Sequence, residues 1–80
     1  MRIKILAFGI TKDITGAKEF HFDIKTGATS ADLKAALLDQ YPSLLQLSSL
    51  AIAINGIYAA EGVAIQDQDE IVLIPPVSGG

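Results

Sequence analysis

One amphipathic helix stands among strands in this chain, and that imbalance limits what it can fold into. The segment TGATSADLKAALLDQYPS, residues 26–43, carries the one convincing helical pattern. Thr29 is placed to cap it, and Asp32, three residues on, completes a capping-box pattern near the positive end of the helix dipole. Leu33, Ala36, Leu37 and Tyr41 fall on one face, and Pro42 ends the run. A lone helix can bury that face only against a sheet, so the strands on either side of it must share a single layer.

Those strands are legible from their alternation. In RIKILAFG (2–9), Ile3, Ile5 and Ala7 point one way, and Arg2, Lys4, Leu6 and Phe8 the other. The second set starts polar and ends apolar, which predicts a patch that meets a partner. ITKDITGAK (10–18) reads as a polar loop. EFHFDIK (19–25) turns Phe20, Phe22 and Ile24 to the core and Glu19, His21, Asp23 and Lys25 to water, pairing with the first strand as a hairpin. After the helix, SLLQLSS (43–49) reads as an irregular or 3₁₀ connection with Leu44, Leu45 and Leu47 to bury. LAIAINGIYAA (50–60) is a hairpin, because Asn55-Gly56 suits a type I′ turn with both central residues at positive φ. EGVAIQDQ (61–68) is a loop or a single turn. DEIVLIPP (69–76) is a nearly continuous apolar strand, stopped by two prolines that cannot donate to a ladder.

The order β-β-α-β-β-β predicts an α+β fold, a β-grasp roll with a mixed four- to five-stranded sheet and one main helix on one face. The first and last strands are then neighbours in the centre. Ile71 and Leu73 face the helix with Ile3 and Ile5, while Val72 and Ile74 join Leu6 and Phe8 on the opposite face. Residues 1–74 form the domain and residues 75–80 a flexible tail.

Composition narrows the function classes. The chain has 80 residues, enough for one small domain. Half are hydrophobic and only 19% are charged, so some apolar surface is expected to meet a partner. The net charge of −3, with Lys and Arg scattered, argues against nucleic acid and anionic membrane as partners. No cysteine is present, which excludes disulfides, thiolate metal sites and a cysteine nucleophile and fits a reducing, cytoplasmic setting. The basic start and apolar run of MRIKILAFGITKD lack a small-residue cleavage pattern and alternate, so they read as a strand and not a leader.

No catalytic set emerges from the residues. His21, the single histidine, lies on the wet side of its strand. Asp67, Asp69 and Glu70 read as a polar turn and lack the spacing of a calcium loop. Ser30, Ser43, Ser48, Ser49 and Ser78 have no histidine placed to activate them and no nucleophile elbow around them. Gly9, Gly16, Gly27 and Gly62 are isolated turn glycines and form no phosphate loop.

The chemistry that remains is in IPPVSGG. Proline favours an extended exit, and glycine, with no Cβ, can thread a channel too narrow for other residues. From Pro75 to Gly80 the chain can reach about 20 Å. What it would deliver is a carboxylate, a poor acyl donor until a partner activates it. The expectation is a carrier whose terminal carboxyl is loaded by another enzyme.

The run AIAINGIYA…IQDQDEIVLIPPVSGG resembles the MoaD/ThiS family of ubiquitin-like sulfur carriers, and within it the small subunits of molybdopterin synthase. The specific part is the ending, Pro75, Pro76, Val77, Ser78, Gly79 and Gly80, after an acidic turn at Asp69 and Glu70. IKILAFG and the chain length agree. Gln68 stands where the family often has glycine, and Lys12-Asp13 where it often has Arg-Glu. The resemblance implies that an adenylating enzyme (MoeB-like) uses ATP to make an acyl-adenylate at Gly80. Sulfur then replaces AMP to give a thiocarboxylate. Pro75, Pro76, Val77, Ser78 and Gly79 would insert into the large synthase subunit (MoaE-like), with Leu6, Phe8, Val72 and Ile74 as the docking patch. No stably bound cofactor is implied, only transient AMP and sulfur. The chain would be a non-catalytic donor for the dithiolene of molybdopterin. Carriers for thiamine or tRNA thiolation, a protein modifier ending in an isopeptide bond, and an inert interaction domain stay open as alternatives.

Overall fold

In the computed structural model, which describes residues 1–47 and 49–76, the last strand inserts beside the first in the middle of the sheet. The elements are β1 (Arg2–Ala7), α1 (Ile10–Thr15), β2 (Glu19–Asp23), α2 (Ser30–Gln40), a 3₁₀ turn (Pro42–Gln46), β3 (Ala51–Ile54), β4 (Ile57–Tyr58) and β5 (Glu70–Ile74). They form one five-stranded sheet in the order β2-β1-β5-β3-β4. β1 and β5 run parallel, with Ile5 beside Ile71 and Ala7 beside Leu73. The other pairs are antiparallel. This is the expected β-grasp, an α+β fold with α2 as its main helix.

Alternation decides which face is buried. Ile3, Ile5 and Ala7 on β1 and Ile71 and Leu73 on β5 are fully buried, and they pack with Ile52, Leu33 and Leu37. Burying each large aliphatic side chain contributes about 1.5–3 kcal/mol, so this central row outweighs any surface contact in the molecule. Phe20, Phe22 and Ile24 of the β2 region pack on the margin of the same cluster. The Phe20 ring meets Tyr41 edge-on, centroids 6.0 Å apart, which ties the outer strand to the end of α2.

The predicted cap forms. Asp32 N–H donates to Thr29 Oγ1 at 3.3 Å, and Thr29 N–H donates to Asp32 Oδ2 at 3.0 Å. The Thr29 backbone donor, helped by the Thr29 hydroxyl and the Lys25 charge, outweighs desolvation and holds the Asp32 carboxyl below its ordinary value of 3.8. Thr29→Ala is expected to cost about 1 kcal/mol in urea unfolding. Because the Asp32 pKa is depressed, its contribution is full above the unfolded value and fades as pH falls through the folded one. Urea curves of wild type and Asp32→Asn should therefore converge on acidification.

Three segments depart from the sequence expectation. The polar loop expected over 10–18 contains the helical turn α1, closed by Gly16 in the left-handed conformation with its N–H on Lys12 O at 2.8 Å. Six residues are too few for helical periodicity to show, and buried Thr11 supplies polar bonding where an apolar stripe would otherwise signal a helix. Leu45, expected to be buried, is 68% exposed. A 3₁₀ turn superposes residues three apart, so Leu44 and Leu47 turn inward together and Leu45 turns out. Ile65, read as part of a loop, belongs to the core. Its N–H donates to Ala28 O at 2.9 Å, while Ser30 N–H donates to Val63 O at 2.9 Å and Ala31 N–H to Glu61 O at 3.0 Å. The first turn of α2 thus binds the 60s loop through donors that its own ladder leaves free.

Candidate functional site

Topology places the end of β5 at the centre of one edge of the molecule. β5 lies between β1 and β3, and its ladder stops at Ile74 because Pro75 and Pro76 carry no N–H. Pro75 therefore follows β5 beside the end of β1. The expected insertion residues Pro75 and Pro76 are half-buried there. Val77, Ser78, Gly79 and the expected reactive residue Gly80 lie outside the described residues.

The sheet face away from α2 is divided along the strands. Across it, Glu19, Leu6, Val72, Ala53 and Tyr58 stand in one register row. The row nearer the tail carries Ile74 opposite Ala51, and Phe8 continues the parity of Leu6 just past β1. The row farther from it is polar, with Lys4 flanked by His21 and Glu70. Leu6, Val72 and Ile74 are half-buried and Phe8 is 45% exposed, so the four expected docking residues come together next to the tail root. Tyr58, 69% exposed, extends the patch to the sheet edge, a residue that sequence reasoning passed over. Its place was recoverable: once Asn55-Gly56 is a two-residue turn, Ile54 must face Ile57 and Ala53 must face Tyr58. The exposed Lys4–Glu19 pair, 3.3 Å apart, borders the patch and adds little stability.

A second residue missed from the sequence sits under Phe8. Thr11 is completely buried. Its Oγ1 donates to Phe8 O at 2.6 Å and accepts from Phe8 N–H at 3.0 Å. Thr11 N–H also donates to Phe8 O at 3.1 Å, closing the turn.

The remaining polar candidates are occupied structurally. Asn55 and Gly56 have φ of 53° and 84°, as a type I′ turn requires. Asp69 accepts from Asn55 Nδ2 and from Gln66 N–H, both at 2.8 Å, and Asn55 Oδ1 accepts from Glu70 N–H at 2.9 Å. The acidic turn is therefore the clamp that joins the hairpin to β5, with Gln68 accommodated in it. His21 is exposed beside Lys4. Among the described residues no three His, Asp or Glu side chains are grouped to hold a metal ion, and no helix is long and apolar enough to cross a membrane. An open groove of about 510 Å³ between α2 and β3 is lined by Leu38, Leu50, Ile52, Lys34 and Glu61, without any nucleophile paired to a base.

Residues 5–80 match the ThiS family. The chain belongs to the ThiS family. Over its full length it is 34% identical to the molybdopterin synthase sulfur carrier subunit of Chlamydomonas reinhardtii, all of which it covers. Among solved structures, SAMP1 from Haloferax volcanii superposes with a TM-score of 0.82 at 28% identity, each chain fully covered. A chain in the complex of subunits 1 and 2 of the molybdopterin-converting factor from Helicobacter pylori is also similar, with a TM-score of 0.67 at 27% identity and both chains fully covered. In this ThiS-family chain the architecture gathers no catalytic set among the described residues. It places the end of β5 between β1 and β3, with an apolar face at its side.

Proposed function

We propose that this chain is the sulfur carrier subunit of a molybdopterin synthase, cytoplasmic and non-catalytic by itself. The Gly80 carboxylate attacks the α-phosphate of ATP on an adenylating partner, releasing pyrophosphate and forming an acyl-adenylate. Sulfide then attacks the acyl carbon and AMP leaves, and loss of the S–H proton leaves Gly80 as a thiocarboxylate. Docked through Leu6, Phe8, Val72 and Ile74, the chain presents this group to the large subunit. Side chains of that subunit carry out sulfur transfer to the pterin precursor, and two such transfers make one dithiolene. The thiocarboxylate suits the task because its charge rests on a soft, nucleophilic sulfur.

The observation that carries the reading is the placement of the tail root. It leaves the central strand at Pro75–Pro76, flanked by the apolar half of the open sheet face. The relatives named as sulfur carrier subunits, matched along the whole chain, supply the pathway. A second reading is favoured by the likeness to small archaeal modifier proteins. In it, a lysine amine attacks the same acyl-adenylate and leaves an isopeptide bond.

Intact mass after expression with the adenylating partner separates the two. The carrier is expected to exchange one oxygen for one sulfur, dependent on ATP. Covalent ladders with other proteins would establish the modifier instead, and an unchanged mass under every condition would overturn both.

A further inference from the structure

The turn after β1 does more than connect it to α1. Gly9 has φ 55° and ψ −131°, the first central position of a type II′ turn running from Phe8 to Thr11. A Cβ built there would lie 3.8 Å from Pro75 Cγ, so the bare side of the turn faces the proline ring at the tail root. Beneath it, the buried Thr11 hydroxyl holds both backbone groups of Phe8, one as acceptor and one as donor. A hydroxyl so placed, in a turn already closed by its own backbone bond, fixes orientation beyond what the connection requires.

We propose that Gly9 and Thr11 are positioning residues for the tail root: the clasped turn stands beside Pro75 and fixes the course of the chain at Pro75 and Pro76. Four residues follow Pro76, with a maximal reach of about 14 Å. Fixing the root narrows the search of the terminal carboxyl for the partner's reactive groups. The inference rests on the reading of Gly80 as the loaded carboxyl.

The test uses the full chain and three substitutions. Thr11→Val keeps the shape and removes both hydroxyl bonds, Thr11→Ser keeps the hydroxyl, and Pro75→Ala removes the ring while leaving the turn intact. In wild type and Thr11→Ser, a nuclear Overhauser contact between Gly9 Hα and the Pro75 ring is expected, and in Thr11→Val it should be lost. With saturating adenylating partner, below the melting temperature of each variant, kcat for thiocarboxylate formation should fall about tenfold in Thr11→Val and in Pro75→Ala. KM should stay within about threefold, and Thr11→Ser should restore kcat. A merely structural role would lower the melting temperature and leave kcat of the folded protein alone. The proposal is overturned if the Gly9–Pro75 contact survives in Thr11→Val, or if kcat is unchanged when that contact is lost. Should Thr11→Val not fold, Pro75→Ala decides the rate. If wild type itself gains no sulfur, the functional reading falls, and the Overhauser contact still decides whether the turn holds the tail root.

Discussion

Deleting Gly80 is expected to abolish molybdopterin synthesis while leaving the fold intact. The shortened chain still ends in a carboxylate, that of Gly79, so the chemistry of the group is not what changes. Its reach is. One residue spans about 3.3–3.6 Å, and reacting atoms must approach to about 3–3.5 Å, so the new terminus stops a full residue short. A displacement of even about 1 Å can cost 10²-fold in rate, and a loss well beyond that is expected here. Stability should not follow, because among the described residues the last ladder pairing is Ile74 with Ala51 and the buried row ends at Leu73. Urea midpoints of the two chains should agree within about 0.5 kcal/mol. Reconstituted synthase with the truncated carrier is the measurement. Product at the wild-type rate would remove Gly80 from the mechanism, as would a mature chain that keeps residues beyond it.

The parts of the fold that follow a period were legible in the sequence. Ile3, Ile5 and Ala7, then Ile71 and Leu73, alternate strictly, and the pleat sends alternate side chains to one face whatever else the chain does. Asn55-Gly56 announced its turn because few residue pairs tolerate positive φ twice in succession. The apolar half of the open sheet face was legible for the same reason: Leu6, Val72 and Ile74 have the opposite parity to the core. What stayed hidden depends on contacts far along the chain or on a single side chain. Ile65 is buried only because the first turn of α2 binds its loop, a pairing no local pattern encodes. Thr11 looks like any loop threonine until the turn at Gly9 folds its hydroxyl back onto Phe8. Leu45 looked like core because three leucines in SLLQLSS cannot be sorted without knowing that the turn is 3₁₀. The carrier reading of the tail could be argued from IPPVSGG alone, whereas the nearness of Pro75 to the turn at Gly9 required the structure.

Phe8→Glu is expected to weaken binding to the large synthase subunit at least about 30-fold, a loss of about 2 kcal/mol. Phe8 is 45% exposed in the isolated chain, so an aromatic ring stands ready to be buried at the rim of the Leu6, Val72 and Ile74 patch. Glutamate removes that apolar contact and must also shed water on docking. An unpaired carboxylate entering an apolar interface costs far more than the lost contact area, and so the charge dominates the effect. Folding should survive the change, because the Thr11 clasp grips the backbone of Phe8 and not its ring. His21→Glu supplies the control, since it adds the same side chain to the same sheet face but in the polar row beside Lys4. It should shift affinity by no more than about 0.5 kcal/mol. The comparison asks whether position on the face or net charge of the carrier governs docking. Titration calorimetry with the purified large subunit answers it. Equal weakening by both substitutions would point to charge alone, and unchanged affinity for Phe8→Glu would remove this patch as the docking face. A loss confined to Phe8→Glu would place the partner over the apolar half of the sheet, where the chain after Pro76 begins.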